Sequence, residues 1–439
     1  MASTRVTKVY TNTGDRRTYT VSAWVKRNKL GATQDVISAY RSTDGLQTDV
    51  MRFPSDDTFQ FYMHSTNSAG NCELKTNRKF RDTNAWYHIV TRVDTTQSTN
   101  TNRVRIYING VQETSFATEN YMNQDGEGVW GIGASHTTHT IGAVGTSNYF
   151  DGCVSHVHYA DGQSLAPTVF GSTDSTTGEW KINTSPSFTL GSNGFTILKD
   201  GNTVTDQSTN SNDFSVTAGT LTKTEDNPSN VFATLNPLVN NYGEMMTLTQ
   251  GNLTCESTTS SPAWKTAVST LGMTSGKYYW EVKFVNVHNA YNTGVMGSNV
   301  LTANAQNPMN QNGWTGFYNY DGGEIRKDGN LTTNDYGTYS TNDIMGVACD
   351  MDNYTISFYK NGVAHVSNAS LSTTGRDVVF PASCHYQTNG GAQATYNFGN
   401  GYFGTTAVSS AGTNASGIGI FEYDVPTGYT ALSTKGLNL

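Results

Sequence analysis

Hydrolysis of a glycosidic bond needs two carboxylates about 5–10 Å apart, one of them kept protonated. On a β-strand that means acids at i, i+2 or i, i+4, because alternate side chains share a face. The N-terminal strand-like segments offer no such pair: Thr20–Lys26 and Val104–Val111 contain no acid. Asp125-Gly126-Glu127-Gly128 has two, but its glycines mark a loop, where solvated turn acids are ordinary. The C-terminal half offers Glu281 and Asp350. Nucleophilic catalysis has no support either, since there is no Gly-x-Ser-x-Gly elbow and no Cys–His pairing with a local signature. Gly131-Ile132-Gly133 and Gly322-Gly323 lack the helix that a phosphate cradle requires.

Metal chemistry is weakly represented. In His156-Val157-His158 the two imidazoles share one strand face, a spacing that could hold a metal. No third Asp, Glu or Cys stands nearby, so cross-strand packing is the expected role. His136 and His139 flank a Thr-rich loop and are candidate polar binding groups. The five cysteines (Cys72, Cys153, Cys255, Cys349, Cys384) are widely spaced, odd in number and without a CxxC, which argues against a zinc knuckle. Cys153 and Cys349 lie in apolar strand patterns, as buried free thiols do.

Aromatic loops are the best binding material, because rings stack on the apolar faces of sugars or anchor protein contacts. Tyr121, Trp130 and Tyr149 lie in long polar loops of the N-terminal half. Trp264, Tyr291, Trp314, Tyr318 and Tyr320 lie in or beside loops of the C-terminal half. The expectation is a binding protein and not an enzyme, with no cofactor.

The elements that must position these residues are β-strands. Val104-Arg105-Ile106-Tyr107-Ile108-Asn109-Gly110 is echoed by Thr355-Ile356-Ser357-Phe358-Tyr359-Lys360-Asn361-Gly362. Alternating β-branched and aromatic residues running into Asn-Gly are the strongest short-range hairpin signal, since both turn residues need positive φ. No stretch sustains a 3.6-residue apolar period, and turn signals recur at sandwich intervals. An all-β chain with helix below about 10% is expected, against about 30% for an average protein. In Thr20–Lys26, alternation places Val21, Ala23 and Val25 on one face and Trp24 on the other, so both faces are covered, as in a two-sheet sandwich.

Charged residues are only 14% of the chain, against about 25% in an average soluble protein, while aromatics reach 11%. Such hydroxyl- and amide-rich surfaces suit polar uncharged partners such as sugars, or burial in an assembly. The net charge of −8 and the absence of a basic stripe exclude a nucleic-acid groove. Met1-Ala2-Ser3-Thr4-Arg5 lacks a signal-peptide pattern, and no apolar run reaches membrane-spanning length. Folding in a reducing cytosol is expected, with the sequons at Asn252 and Asn330 carrying no glycan.

Thr20–Lys26, Trp86-Tyr87-His88-Ile89-Val90, Val104–Gly110 and Phe150-Asp151-Gly152-Cys153-Val154-Ser155 together resemble the concanavalin A-like, laminin-G-type jelly-roll sandwich. Asp161–Pro167, Phe170-Gly171 and Gly178-Glu179-Trp180-Lys181 resemble a version found in tailed-phage virion proteins, as does the junction Asp226–Pro237. Ser275–Phe284, Gly294–Gly297, Gly313–Tyr318, Asp343–Asp350, Thr355–Val363, Val379–Ala382 and Thr395–Gly399 resemble, in order, a SPRY domain. The resemblance implies a sandwich at 1–166, an ordered connector with short strands at 167–235, a SPRY-like sandwich at 236–424 and a C-terminal tail at 425–439. It implies partner binding through loops at one edge of the SPRY sandwich, and it places Glu281 and Asp350 in core motifs where neighbouring backbone and turn contacts use them. It leaves calcium open, with Asp44, Asp56 and Asp151 as loop candidates.

The same resemblance implies a phage virion protein on the particle exterior, assembled in the host cytoplasm. Expected partners are other virion subunits, further copies of the chain and a host-surface glycan. The function expected is that of a fibre, tail or capsid-surface adhesin, with purely structural decoration as the alternative.

Overall fold

The computed structural model describes residues 3–43, 47–199, 201, 203–239, 244–257, 263–287, 291–302, 307–319, 322–332, 335–387 and 391–438. The chain forms two compact units. One comprises Met1–Lys223 with Asn227–Ser229, the other Thr224–Asp226 with Asn230–Leu439. Among the described residues the one α-helix is Ser298–Thr302, so the all-β expectation holds. No described helix is long and apolar enough to cross a membrane.

The first unit is two facing antiparallel sheets. Thr18–Arg27 pairs in continuous register with Trp86–Asp94, from Thr18 opposite Asp94 to Lys26 opposite Trp86. Alternation sends Val21, Ala23 and Val25 into the core and Trp24 outward, as the sequence pattern requires. Val104–Ile108, Val111–Gln112, Gly152–Asp161 and Phe195–Ile197 complete a six-stranded sheet. The facing eight-stranded sheet runs Phe116–Asn120, Cys72–Lys79, Thr58–Met63, Gln47–Phe53, Gln34–Arg41, Thr137–Ile141, Arg5–Lys8 and Ser215–Ala218. Phe53, Phe59 and Phe80 pack edge to face at the core, with centroids 5.5–6.3 Å apart. Such pairs contribute about 0.5–1.5 kcal/mol beyond area burial. The stretch read as a connector supplies Phe195–Ile197 to one sheet of this unit and Ser215–Ala218 to the other.

In the second unit a seven-stranded sheet is ordered Glu244–Met245, Ala263–Val268, Val379–Gln387, Tyr291–Gly297, Trp314–Tyr318, Glu324–Lys327 and Asn330–Thr332. The other sheet is ordered Thr247–Thr249, Thr254–Glu256, Gln393–Asn397, Lys277–Asn286, Ile344–Asp350, Thr355–Lys360 and Val363–Ser370. Thr430–Ala431 pairs parallel to Lys277–Asn286, and Leu432 is fully buried, so the C-terminal segment is built into this unit.

Three outer sheet faces carry a further layer. In the first unit, residues 162–190 cross the six-stranded sheet and pack Phe170 and Phe188 near Val90 and Tyr107. In the second, Val300 and Met309 cover Met296, Trp314 and Cys384 on the seven-stranded sheet. Phe232, Phe421 and Val425 cover Tyr279 and Ala348 on the other. These layers explain why strands such as Lys277–Asn286 read as apolar on both faces.

Candidate functional site

Several buried carboxylates in both units are bound by backbone N–H groups. Asp49 lies on the core-facing side of Gln47–Phe53, with Met51 and Phe53. Its Oδ2 accepts from the amides of Val129 and Trp130, each at 2.7 Å, and its Oδ1 from that of His64 at 2.8 Å. Burial pushes this carboxyl up to about 7, against the three bonds. Asp161 accepts from Asp15 N (2.7 Å) and Asn193 N (3.0 Å), and Asp206 from Thr196 N (2.9 Å) and Asn212 N (2.8 Å). Asp206 thereby closes the turn at 206–213. Glu127, in the acid-bearing loop, pairs with Arg16 and Arg17, both at 2.9 Å.

Glu281 repeats the pattern in the second unit. It is fully buried and accepts from the amides of Glu422 and Tyr423 at 2.9 Å, from Asn397 Nδ2 at 3.2 Å and from Tyr279 Oη at 3.3 Å. Burial pushes it up to about 7 as well. Asp350 caps the turn at Asp352 and Asn353 and pairs with Lys277 at 2.9 Å, the use that the SPRY resemblance implies. These acids fix loops through the bonds they accept.

The histidines do not assemble a metal centre. A bulge interrupts the pairing of Gly152–Asp161 between Ser155 and His158, and His156 has φ +48°. The even alternation assumed for His156 and His158 therefore fails, and their rings stand 6.3 Å apart. His158 stacks on Phe170 at 5.5 Å, a packing role. Among the described residues, no three of His, Cys, Asp and Glu could hold a metal ion. Calcium does not fit the loop candidates described: Asp56 is taken by Lys75 (2.7 Å) and Thr58, which hold it down to about 2. Asp151 is half-buried and raised by desolvation, and Asp44 lies outside the described residues.

The aromatic candidates divide. Trp130, Tyr291, Trp314 and Tyr318 are core residues, correcting their placement at loop surfaces. Trp130 is drawn inward because Asp49 binds its amide, and it packs edge-on to Tyr159 at 5.5 Å. Trp314 and Tyr318 lie under the layer of Val300 and Met309, and Tyr291 touches Cys255 Sγ through its hydroxyl at 3.4 Å. His139 is likewise buried, between Tyr10 and Trp130, accepting from Gly131 N at 3.0 Å. Tyr121, His136, Tyr149 and Trp264 are half-buried, and Tyr320 lies outside the described residues. Trp264 meets Tyr386 across the strand pair at 5.1 Å. Trp180 and Tyr423 were missed. Each lies over the glycine of an Asn-Gly turn, Gly110 and Gly362, where an added Cβ would overlap its ring. The repeated Asn-Gly was the available signal, since a turn without side chains accepts an aromatic lid.

The fold is that of two antiparallel β-sandwiches. Residues 3–169 match the family model of the concanavalin A-like lectin/glucanases superfamily, and residues 277–401 match that of the SPRY domain. No curated protein matches the chain significantly. Solved structures similar to it include the SPRY domain of human HERC1, at 20% identity over 30% of this chain and 82% of that one, TM-score 0.27. The TRIM65 PSpry domain is 12% identical over 38% of this chain and 88% of its own, TM-score 0.31. The heptameric SAP-like pentraxin of Limulus polyphemus is 18% identical over 37% and 71%, TM-score 0.26. The matched domain types are typically non-catalytic binding folds.

Proposed function

We propose that this chain is a non-enzymatic recognition protein on the exterior of a tailed-phage particle, a fibre, tail or capsid-surface adhesin that engages host-surface glycan. The observation that carries the non-enzymatic part is the filling of Asp49, Asp161, Asp206 and Glu281 by backbone amides. A glycosidase acid must keep a lone pair or proton free for the scissile oxygen. The phage-like stretches 161–181 and 226–237 and the low surface charge support the setting. Many copies on one particle would multiply weak individual contacts.

Structural decoration of the virion is the second reading. It is favoured by the burial of Trp130, Trp314 and Tyr318, which removes three rings from the ligand platforms. The test has two parts. Purified particles should contain the chain, and antibody should label it on their surface; its absence from particles overturns the setting. Purified protein should bind host cells and release no new reducing ends from host capsular or lipopolysaccharide glycans. Binding to particles alone selects decoration, and release that disappears in a single carboxylate-to-amide variant overturns the non-enzymatic reading.

A further inference from the structure

Three of the four outer sheet faces are roofed by the chain's own apolar layers, as described above. The fourth, on the eight-stranded sheet of the first unit, carries no such cluster among the described residues. A loop reaches over one side only, where Ser38 Oγ donates to Ala143 O at 2.7 Å and Arg5 to Gly145 O.

Register fixes what the open part presents. Met51 and Phe53 face the core, so Thr48, Val50 and Arg52 face outward. Opposite them stand Tyr40, Tyr62 and Gln60, and next along the sheet Thr138, Glu73 and Lys75. Tyr40 and Tyr62 are half-buried and flank Val50, which is 2% exposed and forms an apolar floor. They lie two strands and one pleat apart, roughly 12 Å between backbones. Both cations of the face are paired, Arg52 with Asp35 at 2.9 Å and Lys75 with Asp56 at 2.7 Å, and Glu73 accepts from Gln60 at 2.6 Å. Tyr62 Oη accepts from Asn71 Nδ2 at 2.8 Å, which leaves its own proton to donate.

We infer that this face binds a neutral oligosaccharide, with Tyr40 and Tyr62 stacking on sugar rings above Val50 and the Thr48, Gln60 and Thr138 side chains bonding the hydroxyls. The inference rests on the glycan-binding reading above and gives it a location. Charge complementarity selects the occupant. A polyanion meets cations that are already paired and the carboxylate of Glu73, whereas hydroxyl, amide and phenol groups match a neutral sugar. A protein partner would need the larger apolar centre that stable interfaces bury.

The test uses the full chain on a printed array of neutral glucan, galactan and N-acetylhexosamine oligomers beside hyaluronan and heparin fragments. The strongest neutral probe is then titrated against variants. Tyr40→Ala and Tyr62→Ala should each weaken binding about tenfold or more, as loss of a stacking ring does. Tyr40→Phe should retain most of the affinity, and Val363→Ala, at an exposed position of the other unit, all of it. Thr48→Trp fills the face without removing either ring and should abolish binding, so an alanine variant that melts early does not decide the matter. Neutral binding that survives both alanine variants and Thr48→Trp overturns this site while the glycan reading stands. A response confined to hyaluronan or heparin overturns this site while the glycan reading stands, and none on the array overturns both.

Discussion

The indole N–H of Trp180 donates to Nδ1 of His88 at 2.9 Å, and this bond fixes the tautomer of a buried imidazole. An indole can only donate, so Nδ1 accepts and the proton sits on Nε2. Nε2–H therefore donates to Ser22 Oγ, 2.9 Å away. A Ser–His pair that could be mistaken for a nucleophile and its base has its hydrogen bond directed the wrong way. Stacking between Trp24 (4.8 Å) and Trp180 (5.9 Å) completes the burial, which pushes His88 down to about 3. The arrangement anchors the 162–190 layer to its sheet.

The two Asn-Gly turns should respond alike to a methyl group. At Gly110 the added carbon overlaps Trp180, at Gly362 it overlaps Tyr423, and both glycines have φ +79°. Gly110→Ala and Gly362→Ala are each expected to lose about 1–3 kcal/mol, from overpacking plus strain at positive φ. Gly178→Ala, at φ +74° but with open space around it, separates strain from overlap and should cost the less. Denaturant titration checks this; equal losses at all three would remove the aromatic lids from the explanation.

Glu281→Gln tests the clamp in the second unit. Glutamine offers one oxygen where four donors converge, so at least one amide of Glu422 or Tyr423 faces an N–H group. Each orphaned buried donor costs about 1–3 kcal/mol. Limited proteolysis should then cut within 409–424 well before the sheets, and an unchanged cleavage pattern would show that the carboxylate does not hold the segment.

Much of the fold was legible because alternation and turns are local. Thr18–Arg27 announces both its faces, and Asn109-Gly110 and Asn361-Gly362 take φ between +49° and +79° as the hairpin signal requires. The aromatic sites were not legible, because burial depends on partners far along the chain. Trp130 sits in a polar, glycine-rich stretch that looks exposed until Asp49, some eighty positions earlier, binds its amide. Gly313 and Gly316 made Trp314 resemble loop sequence, yet Gly316 serves close strand approach, its Cα lying where a Cβ on Gly294 would go. Tyr40 and Tyr62 gained a shared face only once the strand order was known.

Thiol chemistry follows burial. All five cysteines are free; Cys72, Cys255, Cys349 and Cys384 are buried and Cys153 half-buried. Burial pushes Cys72 up to about 12 and Cys255 up to about 11, and raises Cys349 and Cys384 as well. Thiolate is the reactive form, so a thiol reagent at pH 8 should modify at most Cys153 in the native protein and all five after unfolding. Rapid native labelling of Cys72 or Cys349 would contradict the packing described.

Acid sensitivity of the first unit can be worked out in sign. His88, His139 and His158 are held down to about 3 by burial, below the unfolded value of about 6.5. Their contribution is present above pH 6.5 and is lost as pH falls toward 3, because the unfolded chain takes up protons first. Asp49, raised to about 7, acts oppositely: its contribution is fully present below the unfolded value of about 3.9 and is lost as pH rises through 7. Three histidines against one carboxyl predict a net loss of stability from pH 6.5 to 5. His139→Gln keeps an acceptor for the Gly131 amide while removing one titrating group. It should reduce that slope by about 1.4 kcal/mol per pH unit, one proton's worth. Asp49→Asn, which removes the opposing group, should steepen it. Denaturant midpoints of the full chain at half-unit pH steps, read from a probe in the first unit, give both slopes. A first unit whose stability stays flat or rises as pH falls through this window would show that the histidines are not held neutral.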